Sequence, residues 1–143
     1  MERSPQEIDD WAKAYIAAQQ DPKRLKNNHP LWWAIDRFFG VLDKDARAAA
    51  ENAWKAILRV LELDPPAEVL GVLAAGPLEN LIDVHGAAFI DRIEVEARRN
   101  PQFRALLNGI WQSSTDAIWS RVEACRGSAV TTPNKSFERT RGR

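Results

Sequence analysis

The stretch LAAGPLENLIDVHG, residues 73–86, gathers the groups most able to do chemistry in this 143-residue chain: Glu79, Asp83 and His85, one of only two histidines. A carboxylate near a histidine is the raw material of acid–base catalysis and of metal ligation. The spacing weakens both readings. On a helix, Glu79 and Asp83 share a face, but His85 is turned about 200° away from Asp83. A metal would need further ligands from elsewhere. No GxSxG, HExxH, Walker A or GxGxxG motif is present. Glu79 and His85 are therefore weak catalytic candidates. No metal or cofactor is expected, and the enzyme reading leans negative.

Plainer roles explain the same residues. Glu79 lies near the start of a helix opened by Pro77, where the positive end of the dipole favours a carboxylate. If it is partly buried it needs a partner, and Arg104 and Arg121, each beside an apolar stripe, are the candidates. His85 sits between Ile82 and Phe89 on such a stripe and reads as a core histidine. His29, before Pro30, reads as a capping or surface residue. Of the six tryptophans, Trp11, Trp54, Trp111 and Trp119 fall on apolar stripes and are expected in the core, with polar groups near their indole N–H. Trp32 and Trp33 point about 100° apart on a helix. Either that helix is covered on a wide arc or one indole lines a groove. Trp32, Trp33, Arg104 and Arg121 are the binding candidates.

Helices must position these groups. Ser4-Pro5 with Glu7 is a capping box opening a helix to about Gln20. Pro30 opens LWWAIDRFF, stopped at Gly40. Asp64-Pro65 opens PPAEVLGVLAA, stopped at Gly76, and Pro77 restarts. Asn100-Pro101 opens PQFRALLNGIW. Two helices lack a proline start, one from Asp43 or Asp45 to Leu63, the other from Ser113 or Ser114 to about Arg126. Ala46, Ala50, Ala53, Trp54, Ile57 and Leu61 recur at helical steps, as do Leu78, Leu81, Ile82, His85, Phe89 and Ile93. No segment alternates with period two. The expectation is an all-α domain, a compact orthogonal bundle of about seven short helices. The alternative is a short HEAT-like stack, although no internal repeat is evident.

Size and charge narrow the class. One domain is expected over residues 1–126, with a disordered basic tail over 127–143. The tail carries Lys135, Arg139, Arg141 and Arg143 against Glu138. Formal net charge is zero, so the remaining residues carry 16 basic against 19 acidic groups. A mildly acidic body gives no footprint for nucleic acid. The charged N-terminus is unlike a secretory signal, no apolar run reaches the roughly 18 residues of a membrane span, and the lone Cys125 cannot form an internal disulfide. A cytoplasmic protein with no membrane or nucleic-acid partner is expected.

Three stretches, HPLWWAIDRF, LAAGPLENLIDVHG and NPQFRALLNGIW with the later IWSRV, resemble a family of small bacterial proteins catalogued only as a domain of unknown function. The matching positions are Trp33, Gly76, Pro77, Leu78, Glu79, Leu81, His85, Gly86, Pro101, Phe103, Arg104, Gly109, Trp111, Trp119 and Arg121, within about residues 7–123. Asn80 stands where the family pattern has Asp, which argues against an essential carboxylate at that step. The resemblance implies an all-helical domain and supplies nothing about activity or substrate. The functional expectation is a non-enzymatic protein-interaction module, immunity- or regulator-like, with a protein partner. The alternative is a small enzyme or ligand-binding protein with a polar cleft near Glu79 and His85. Self-association through an exposed Trp32 or Phe39 patch is a third reading.

Overall fold

The structure, a computed structural model, describes residues 1–23 and 28–126. The expected basic tail lies outside them. All regular structure among the described residues is helical. Helix α1 spans Pro5–Gln20, α2 Trp32–Asp36, α3 Arg47–Glu62, α4 Ala67–Leu73, α5 Glu79–Arg99, α6 Pro101–Leu106 and α7 Asp116–Arg126. The expected all-α, compact architecture is what the chain adopts. Helix α2 runs on into a 3-10 helix, Arg37–Leu42, and α6 into a 3-10 turn, Leu107–Gly109.

Local signals set several of these boundaries. The Ser4 hydroxyl accepts from the Glu7 N–H while Glu7 accepts from the Ser4 N–H, a complete capping box. The Asn100 side chain accepts from the N–H groups of Gln102 and Phe103, with Pro101 at the first helical position. Thr115, rather than Ser113 or Ser114, caps α7 by accepting from the Ile118 N–H at 3.2 Å.

Two expected boundaries are corrected. Gly40 does not stop the second helix but lies inside the 3-10 segment. Gly76 and Pro77 do not separate two helices. They lie in a π turn, Ala74–Leu78, that joins α4 to α5, and the Glu79 N–H reaches back to the Ala74 carbonyl. A proline inside a helix lacks an N–H and crowds the preceding turn. Widening that turn makes room for the ring and carries the chain onward. Ala74, Pro77 and Leu78 are all buried, so tertiary packing rewards continuation over a break. The departure from helical geometry comes later, at His85, with φ −118° and ψ 18°.

One apolar cluster runs through the molecule from Ile8 to Val122. Trp54 meets Phe89 and Phe103 with ring centroids 5.8 and 5.5 Å apart, joining α3, α5 and α6. Trp11 packs on Phe38 at 4.5 Å and donates its indole N–H to the Ala34 carbonyl at 2.8 Å, fastening α1 to α2. Trp111 is the exception among the four tryptophans expected in the core, being 65% exposed. α6 ends at Leu106, and Ile110 is already extended, so the helical stripe that would have buried Trp111 stops short of it.

Candidate functional site

The conspicuous acids of residues 73–86 are used on the backbone. Glu79 and Asp83 stand one turn apart on α5 and face the connection between α6 and α7. Glu79 Oε1 accepts from the Trp111 N–H, and Asp83 Oδ1 accepts from the Ser114 N–H, each at 2.9 Å. Ser114 has φ 65°, a left-handed conformation that a non-glycine residue adopts only when its surroundings hold it there. The two carboxylates thus clasp residues 111–114 against α5. Neither of the arginines expected as a partner for Glu79 reaches it.

Arg104 donates to the Ala97 carbonyl at 2.7 Å and so satisfies the last turn of α5. Arg121 grips Glu94 with two nitrogens and touches Asp91, tying α7 to the outer face of α5. These hydrogen bonds hold the Glu94 carboxyl below, and the Arg121 guanidinium above, their ordinary ranges.

His85 is buried and its Nε2 lies 2.9 Å from the Val41 carbonyl. A carbonyl can only accept, so Nε2 carries the proton and donates. This bond ties α5, at its kink, to the 3-10 segment. Gly86 follows because the chain must pass closely there. A Cβ on Gly86 would stand 2.9 Å from both Ile118 Cγ2 and Ser114 Oγ. Gly109 has the same reason, since its Cβ would stand 2.9 Å from that of Ala74 in the π turn. Glu79, Asp83 and Gly86 share one task, the docking of the α6–α7 connection and α7 onto α5, while His85 ties α5 to the 3-10 segment and Gly109 lets the turn after α6 approach the π turn.

Other polar groups with structural work carry weak sequence signals. Buried Asn52 accepts from the Arg3 N–H and donates to the Met1 carbonyl, pinning the N-terminal residues to α3. Buried Glu96 accepts from Arg99 and from the Asn100 side chain at the α5–α6 junction. His29 donates from Nε2 to Asp21 and accepts the Leu31 N–H on Nδ1, bracing the turn that leads into α2. Burial pushes the Cys125 thiol up, the opposite of an activated nucleophile. Among the described residues, no three acidic, histidine or cysteine side chains are placed to share a metal ion. No helix among them is long and apolar enough to cross a membrane.

The second candidate region is the α2 face. Trp32 and Trp33 are 36% and 38% exposed, and Phe39 and Leu42 in the adjoining 3-10 segment 47% and 53%. Four of the eight large hydrophobic side chains exposed among the described residues thus fall within residues 32–42. The Arg37 guanidinium lies over Trp33 at 4.4 Å and over Trp11 at 5.2 Å. Burial pushes its pKa down and nearby Arg3 does the same, while Glu7 opposes them. No sequence motif marks Arg37. Its only advance signal is its place one turn after Trp33.

These features define a small all-α protein with a polar clasp along α5 and exposed aromatic side chains on α2 and the adjoining 3-10 segment. The chain belongs to the family of unknown function DUF6869, which it matches over residues 21–130. No curated protein and no solved structure matches it.

Proposed function

We propose that this chain is a non-enzymatic protein-interaction module, immunity- or regulator-like and acting in a bacterial cytoplasm, that engages its partner through the α2 face. The observation that carries the reading is the concentration of Trp32, Trp33, Phe39 and Leu42 at the surface of one short segment. Exposed aromatic clusters mark contact sites, and tryptophan is among the residues that dominate binding energy at interfaces. Trp33 is held by Arg37 and that arginine by Trp11, so part of the face is ordered before any partner arrives.

The alternative, a polar cleft at Glu79 and His85, has less to support it. Their carboxylate and imidazole are engaged with the Trp111 N–H and the Val41 carbonyl. The test compares quantitative co-purification from the native host with the full chain and with a Trp32→Ala/Phe39→Ala variant. A stoichiometric partner retained by the full chain and lost by an equally stable variant is expected. Identical sets of proteins from both would count against this face. Sedimentation of the purified chain separates a foreign partner from a second copy.

A further inference from the structure

Five arginines among the described residues are half-buried: Arg3, Arg37, Arg59, Arg104 and Arg126. Four of them meet an oxygen. Arg3 faces Glu7, Arg59 binds Asp9 and Glu62, Arg104 binds the Ala97 carbonyl, and Arg126 binds the Leu107 carbonyl. Arg37 has no hydrogen bond or ion pair to any described residue, and its guanidinium carbon lies over two indole rings. None of its nitrogens is among the sealed, unpartnered polar atoms. Stacking covers the faces of a guanidinium and leaves its in-plane N–H groups free. Those groups form a fork that fits a carboxylate with two parallel hydrogen bonds.

We propose that Arg37, packed against Trp11 and Trp33, is the recognition point for a carboxylate side chain on an acidic segment of a protein partner. This deepens and rests on the interaction reading above. The local charge selects the class of anion. Arg3 and Glu7 act on Arg37 in opposite senses, so the guanidinium's own single positive charge is what a singly charged carboxylate would balance. The indoles of Trp33 and Trp32 give the neighbouring side chains of the partner an apolar floor. The acidic body still favours a partner of net positive charge. The Arg37 contact is local and would fix the register of docking.

The experiment is NMR titration of the isotope-labelled full chain, following the Arg37 Nε–H and the Trp33 indole N–H. The probe is an acetylated, amidated tetraglutamate peptide, with tetraglutamine and inorganic phosphate as comparison arms. Saturable shifts at both groups are expected with tetraglutamate, with tetraglutamine and phosphate at least about tenfold weaker. Arg37→Lys keeps the charge but loses the planar fork, so its affinity is expected to fall about tenfold, with the remaining amide spectrum unchanged. Equal response to tetraglutamine, or an unimpaired Arg37→Lys protein, overturns the proposal. Tighter binding of phosphate at the same groups replaces the carboxylate by a phosphoryl ligand and overturns it too. If a partner depends on Trp32 and Phe39 but tetraglutamate leaves Arg37 unmoved, the carboxylate contact fails and the interaction face stands. Tetraglutamate binding at Arg37 without any partner at Trp32 and Phe39 is the reverse failure.

Discussion

Replacing Gly86 by Ala sets two effects of known sign against each other. Alanine is favoured over glycine inside a helix by about 1 kcal/mol. At Gly71, on α4, an added Cβ meets nothing within 4 Å, so Gly71→Ala is expected to realise most of that gain. At Gly86 the Cβ would lie 2.9 Å from Ile118 Cγ2 and from Ser114 Oγ. Ser114 cannot easily retreat, because Asp83 holds its N–H and its backbone is left-handed. Overpacking of this kind costs about 1–3 kcal/mol. The net for Gly86→Ala is therefore expected to be a loss of up to about 2 kcal/mol, opposite in sign to Gly71→Ala. Chemical denaturation with a common m-value measures both. Ile118→Leu removes the branching methyl at nearly constant volume, and Ser114→Ala removes the hydroxyl. Combined with Gly86→Ala, they are expected to return at least about 1 kcal/mol through coupling between contacting sites. A Gly86→Ala protein as stabilised as Gly71→Ala, or a loss the two relieving changes do not touch, would refute the close-approach account.

His85→Phe keeps the bulk but leaves the buried Val41 carbonyl without its donor, so unfolding free energy should fall by about 1–3 kcal/mol. His85→Gln, which retains an N–H donor, should recover part of it in the same denaturation assay. Lowering the pH should also destabilise the chain. Asp9 is held below its ordinary range first by Lys13 and then by Arg59, Glu51 by Arg92, and Glu94 by Arg121. Carboxylates with depressed folded pKa values stabilise the fold fully above their unfolded values, and that contribution is lost as pH falls through the folded ones. The denaturation midpoint should therefore decline below about pH 5, the upper edge of carboxylate titration. A Glu51→Gln protein should show a shallower decline, and a midpoint independent of pH down to about 3 would contradict the ion pairing.

How much of this could be read from residues alone depended on the range of the interaction. Ser4, Glu7, Asn100 and Pro101 act within one helical turn, and their caps form as local rules require. The stripe from Leu78 to Ile93 is buried as its period indicates. Gly76-Pro77 misleads because the local preference for a break is outweighed by burial of the same turn. Glu79 misleads differently. Its partner is a backbone N–H 32 residues away, not an arginine, and backbone groups leave no trace in residue type. Trp111 looks like core only while α6 is assumed to reach it. Arg37 is invisible to pattern reading, because what distinguishes it is the absence of the oxygen partner that the other half-buried arginines have.

The proposed contact with a partner falls on the α2 segment and not at the clasp of Glu79 and Asp83. Photo-crosslinking in the native host tests it directly, with the reactive residue placed in turn at Trp32, Phe39 and Leu42 and, beside the clasp, at Gln112. One discrete protein adduct is expected from the first three positions and none from Gln112. An adduct from Gln112 with none from the α2 positions would contradict it.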